Sequence, residues 1–127
     1  MNNILSINSL TLAYLGDAVY EIYIRKYLIN KGIAKVNNLQ KEAIKYVSAK
    51  GQCKFVMQML EENFLNDEEI DVFHRARNYK SNSHPKNTDI ITYKHATGFE
   101  AIIGYLSLKN DNNRIEEIVN FCLEKGD

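Results

Sequence analysis

The chain has 127 residues, the length of one ordinary domain, and a chain this long buries about two thirds of the surface it exposes when unfolded. It is 45% hydrophobic and 25% charged, too apolar for a disordered chain, and its longest apolar run, Leu12–Leu15, is too short for a membrane span or a secretory core, so a cytoplasmic protein is expected. Sixteen Lys and Arg balance sixteen Asp and Glu, which excludes a global attraction to polyanions, and the lone Cys53 and Cys122 exclude a disulfide scaffold or a cysteine-rich zinc module. The neutral sum conceals segregation. Residues 25–60 carry +7 and residues 72–95 carry +4, whereas residues 61–71 carry −6. Such local fields hold a phosphate backbone when the fold gathers the basic stretches on one surface; otherwise they are solvated helix faces.

Apolar spacing at i, i+3 and i+4, with Pro85 as the single proline, predicts an all-α helical bundle. The first helix runs from about Ser9, its expected cap, to Asn30, and Gly32 stops it. It is apolar almost all round, as a central buried helix would be. Helices are expected over Lys41–Lys50 and Gln52–Asn63, joined at Gly51. Asn66 with Glu69 forms a capping-box pattern that opens a helix reaching about Tyr79. The polar stretch from Tyr79 to Tyr93 reads as a long loop, and such loops tend to carry function. Helices from about Tyr93 to Lys109 and Asn112 to Glu124 complete the chain. The acids of Glu61–Asp71 read as a solvated edge, and Cys53 and Cys122 as buried apolar residues. His74, His84 and His95 lack zinc-site spacing.

On the first helix Leu10, Tyr14, Asp17, Glu21, Ile24 and Leu28 share a sector, so two acids lie on a largely apolar stripe and require a cation, donors or a cleft. Glu100 poses the same problem beside the small residues Ala96, Thr97, Gly104 and Ser107, a flat strip that admits another backbone. Gly16 offers a matching gap. If these helices cross there, Asp17 and Glu100 converge and a divalent cation neutralises them; Mg²⁺, which accepts one or two carboxylates, waters and a substrate phosphate, is suited. The alternative is two separate carboxylates, each satisfied by backbone or a lysine.

Tyr-Leu-Gly-Asp-Ala-Val at 14–19 resembles the Phe-Leu-Gly-Asp core of ribonuclease III catalytic domains, and Phe-Glu-Ala-Ile-Ile-Gly at 99–104 resembles their second acidic motif. Leu12–Glu21, Arg77-Asn78 with Lys80, and Pro85–Asp89 resemble more closely the Mini-ribonuclease III branch of that family, which is a catalytic domain alone. The resemblance covers essentially the whole chain. It implies one ribonuclease III-like domain over residues 1–127 with no double-stranded RNA-binding domain. It implies a homodimeric, Mg²⁺-dependent endoribonuclease that cuts double-stranded RNA to 5′-phosphate and 3′-hydroxyl ends and matures 23S ribosomal RNA precursors, with a ribosomal protein as a candidate further partner. Asp17 is then the catalytic carboxylate and metal ligand and Glu100 the second ligand, with Glu21 and Thr97 in support. Ala13 and Thr97 stand where full-length enzymes often have acids, which thins the ligand set. Arg75, Arg77, Asn78, Lys80, His84, Lys86 and Asn87 are the candidate RNA contacts, since A-form duplex is gripped mostly through its backbone and 2′-hydroxyls. Two competing functions are a noncatalytic helical RNA- or protein-binding module and an all-α Mg²⁺-dependent nucleotide pyrophosphohydrolase, the latter disfavoured because Glu61, Glu62, Glu68 and Glu69 lie off any apolar stripe.

Overall fold

Six helices make up most of residues 3–80, 86 and 88–126, which the computed structural model describes: α1 (Ser9–Asn30), α2 (Val36–Val47), α3 (Ala49–Glu61), α4 (Asp67–Arg77), α5 (Ile90–Leu108) and α6 (Asn112–Gly126). Among these residues there is no strand, and no helix is long and apolar enough to cross a membrane. A short 3-10 turn at Ile4–Ser6 leads into α1.

The central helix is α5, not α1. Ala96–Phe99 and Ala101–Leu106 are all buried, so α5 is enclosed by its neighbours, principally α1, α3 and α4. In α1 only Leu12, Ala13, Gly16, Tyr20, Ile24 and Leu28 are buried, whereas Tyr14, Ile22 and Ile29 are exposed. The expected sector is therefore corrected: Leu10, Tyr14 and Asp17 lie on the exposed side, and only Ile24 and Leu28 of that stripe are in the core. Apolar composition cannot distinguish a helix surrounded by its own domain from one that leaves a hydrophobic face outside.

The boundaries follow their caps. Asn8 rather than Ser9 caps α1, its side chain accepting from the Leu10 N–H at 2.8 Å. The break between α2 and α3 falls at Ser48, whose hydroxyl caps α3, while Gly51 lies inside that helix, where a Cβ would sit 2.3 Å from the Lys45 carbonyl oxygen. The Asn66/Glu69 capping box is present, with N–H to side-chain oxygen distances of 2.8 and 3.0 Å. Asp89 caps α5 through the Thr92 N–H at 3.0 Å, so this helix starts before Tyr93 and shortens the loop.

The acidic stretch is not wholly solvated. Glu69 is 1% exposed and forms a paired contact with Arg114 of α6, at 2.8 Å to Nε and 2.9 Å to Nη2. Arg114 also donates to the Phe64 carbonyl at 2.7 Å and covers the Phe64 ring. Glu62 pairs with Lys125, and Glu68 with Lys109. These acids tie α4 and the preceding turn to α5 and α6. Cys122 is buried as expected, but Cys53 is only half-buried.

Candidate active site

The site begins with two glycines. A Cβ on Gly16 would lie 1.7 Å from the Glu100 carbonyl oxygen, and one on Gly104 would lie 1.9 Å from the Leu12 carbonyl oxygen. No side chain fits at either place, so α1 and α5 cross in backbone contact. Asp17 follows Gly16, and Glu100 lies one turn before Gly104, so both carboxylates emerge from this seam. They are within hydrogen-bonding reach of each other, with Asp17 exposed at the rim and Glu100 half-buried below it. Burial raises the Glu100 carboxyl most, followed by the hydrogen bond and charge of Asp17, and together with Glu21 they push it up to about 8 against the opposing Gln52 amide.

This has a thermodynamic consequence. Between the ordinary glutamate range near 4.5 and about 8, folded Glu100 keeps a proton that the unfolded chain has released, so stability falls as pH rises through that window. In chelator, the melting temperature is expected to be lower at pH 8 than at pH 6, and Glu100→Gln should flatten this trend. A wild-type profile indistinguishable from that of the Gln variant would contradict it.

Glu21, one turn beyond Asp17, is half-buried and accepts from Arg25 Nε and Nη2, both at 2.8 Å. Its charge reaches Glu100, and its Oε2 is engaged by Arg25. Thr97 is buried and its hydroxyl donates to the Tyr93 carbonyl at 3.0 Å, so its visible bond supports the helix rather than the carboxylate pair. Ala13 is buried too. Among the described residues no group of three or more His, Cys, Asp or Glu side chains could hold a metal. The pair nevertheless suits a hydrated magnesium ion, because two adjacent carboxylates, one of them held back from ionising, gain when a divalent charge separates them.

The residue that sequence reasoning missed is Gln52. It is 1% exposed, and its Nε2 donates to the Val47 carbonyl at 3.2 Å and to Glu100 Oε2 at 3.4 Å. Its only signal was a polar side chain in register with the buried Phe55, Val56 and Met59 of α3.

The candidate RNA contacts do not all gather. Arg77 and Asn78 line an open groove with Ile91, Lys94 and His95, and Arg77 Nε donates to Asn78 Oδ1 at 3.1 Å. Lys94 was not singled out from the sequence. Arg75 is used elsewhere: it donates to the Leu5 carbonyl at 2.8 Å and pairs with Asp71 at 3.4 Å. Lys80 and Lys86 are exposed. His84 and Asn87 lie outside the described residues.

The glycine seam also makes a prediction. Gly16→Ala must push α5 away from α1, and overpacking of this kind costs about 1–3 kcal/mol. A displacement of about 1 Å at reacting groups lowers rates by about a hundredfold. Urea unfolding and RNA cleavage should both register the change, and wild-type values in both would show that the seam tolerates separation.

The family model of the ribonuclease III domain matches residues 10–111 of this all-α chain. The chain belongs to the ribonuclease III family, in its Mini-ribonuclease 3 branch. It is 47% identical over 119 residues to Mini-ribonuclease 3 of Streptococcus pneumoniae, an alignment covering 94% of this chain and 93% of the relative. Against Mini-ribonuclease 3 of Clostridium tetani the identity is 50% over 117 residues, covering 91% and 76%. A crystal structure of a Fusobacterium nucleatum protein superimposes with a TM-score of 0.84 at 33% identity, covering 94% of each chain.

Proposed function

We propose that this chain, acting as one catalytic domain, is an endoribonuclease that cleaves double-stranded RNA with magnesium held by Asp17 and Glu100. The observation that carries this reading is the convergence of the two acids at the Gly16/Gly104 seam, in a chain of the ribonuclease III family. Bound magnesium supplies an acidified water and a counter-charge for the phosphate oxygens. Glu100, half-buried at the seam, would hold the ion from the protein side. Asp17, exposed and next to the seam, presents its oxygens on the solvent side, where RNA arrives. Glu21 and Arg25 form an ion pair on the next turns of α1. Arg77, Asn78 and Lys94 hold phosphates through charge and donors, with Lys80 and Lys86 extending that basic end; His84 and Asn87 are proposed on sequence alone. Hydrolysis in this arrangement leaves 5′-phosphate and 3′-hydroxyl ends. The substrate we assign is the paired ends of 23S ribosomal RNA precursor, in the cytoplasm, with a ribosomal protein as a further partner.

The pyrophosphohydrolase reading is weakened, since three of its four acids, Glu62, Glu68 and Glu69, are each paired with a Lys or Arg. The direct experiment incubates the protein with labelled duplex RNA, the matching single strands and nucleoside triphosphates in Mg²⁺. Cutting of both duplex strands is expected. Triphosphate turnover without RNA cleavage, or duplex binding without cutting, would overturn the reading.

Cutting both strands in one encounter calls for two sites, and α1 has the surface to supply a dimer. Tyr14 is 82% exposed, three residues before Asp17, with Ile22 and Ile29 exposed farther along α1. Wild type should sediment as a dimer at micromolar concentration and Tyr14→Asp as a monomer. A wild-type monomer would contradict the proposed assembly.

A further inference from the structure

A glutamine amide buried in an apolar helix face needs partners for its polar atoms, because an unbonded amide in such a place costs about 1–3 kcal/mol. Gln52 shares the buried face of α3 with Phe55, Val56 and Met59. Its NH₂ group faces two acceptors on different elements: the Val47 carbonyl at the end of α2, 3.2 Å away, and Glu100 Oε2 on α5, 3.4 Å away. The platform beneath it is constrained. Ser48 caps α3 through the Gly51 N–H at 3.1 Å, and Gly51 itself lies hard against the Lys45 carbonyl. On its other side Glu100 meets Asp17, a second carboxylate, and once both are ionised repulsion between the two favours rotation of Glu100 away from the shared position.

We propose that Gln52 is a positioning residue: anchored to the Val47 carbonyl, its amide donates to Glu100 and holds that carboxylate facing Asp17. This deepens the proposed function and rests on Glu100 being a cation ligand. Partners that orient metal ligands in this way change cation affinity or activity by about 10–100-fold when removed.

The test measures Mn²⁺ binding to the intact RNA-free protein by electron paramagnetic resonance, together with the Mg²⁺ concentration that half-saturates cleavage. Gln52→Met, similar in size but without donors, should weaken Mn²⁺ binding and raise the half-saturating Mg²⁺ by about tenfold or more, with duplex RNA affinity in chelator unchanged. Gln52→Asn keeps a donor on a stem too short to bridge both acceptors and should fall between wild type and the Met variant; it also serves if the Met variant does not fold by circular dichroism. A merely structural role would lower the melting temperature and leave Mn²⁺ affinity intact, which would overturn the proposal. Asp17→Asn separates the two levels. If it binds Mn²⁺ as wild type does, the metal site itself is wrong; if it loses Mn²⁺ while folded Gln52 variants retain it, only the role of Gln52 fails.

Discussion

Asp17→Asn should lower duplex cleavage by about a thousandfold or more while leaving the helical fold intact. Asp17 is exposed on α1, so an amide of the same shape meets no steric barrier and creates no buried unpaired atom. What changes is charge. One of the two carboxylates that meet at the seam is lost, and a cation held by two protein ligands would have little reserve. Metal stabilisation of a phosphoryl transition state is worth several kcal/mol, and about 4 kcal/mol corresponds to about a thousandfold in rate. Single-turnover cleavage of a labelled duplex at saturating Mg²⁺ measures this directly. Equal cutting by the wild type and Asp17→Asn would remove Asp17 from the reaction.

Arg114→Met is expected to be the most damaging single change to stability, at about 3–5 kcal/mol, because it strands Glu69 in the interior. Glu69 is 1% exposed, and two of its contacts are the Arg114 Nε and Nη2 atoms at 2.8 and 2.9 Å. The Phe64 carbonyl loses its 2.7 Å donor at the same time. Domains of this size have only about 5–15 kcal/mol in total, so the loss is a large share. Urea unfolding should show a lower midpoint with an unchanged slope. Pairing the change with Glu69→Met should recover part of the loss, since the stranded charge is removed. A single variant within about 1 kcal/mol of wild type would show that Glu69 finds another partner or water.

The Asp17 and Glu100 motifs could be read directly, because Gly16 and the small strip around Glu100 mark a place where backbones touch, and the touching side is local to each helix. The capping box at Asn66 and Glu69 was equally local and appears as expected. The burial of Glu69 was hidden because its partner, Arg114, lies 45 residues away and nothing in the acidic run points to it. For the same reason α5 rather than α1 is central: both are apolar nearly all round, and only packing decides which face stays outside. Gln52 was missed because one polar residue in an amphipathic helix looks like surface until its helix is placed against Glu100. Donor chemistry and loop position in the sequence do not show that Arg75 is engaged by Leu5 and Asp71 while Lys94 joins Arg77 and Asn78 in a groove.

The central claim, that Asp17 and Glu100 hold one divalent cation between them, is tested most directly by anomalous diffraction from crystals soaked in Mn²⁺. A manganese peak within ligand distance of both carboxylates, absent from Asp17→Asn crystals, is the predicted result. A peak elsewhere with none at the seam, or an equal seam peak in the variant, would contradict it.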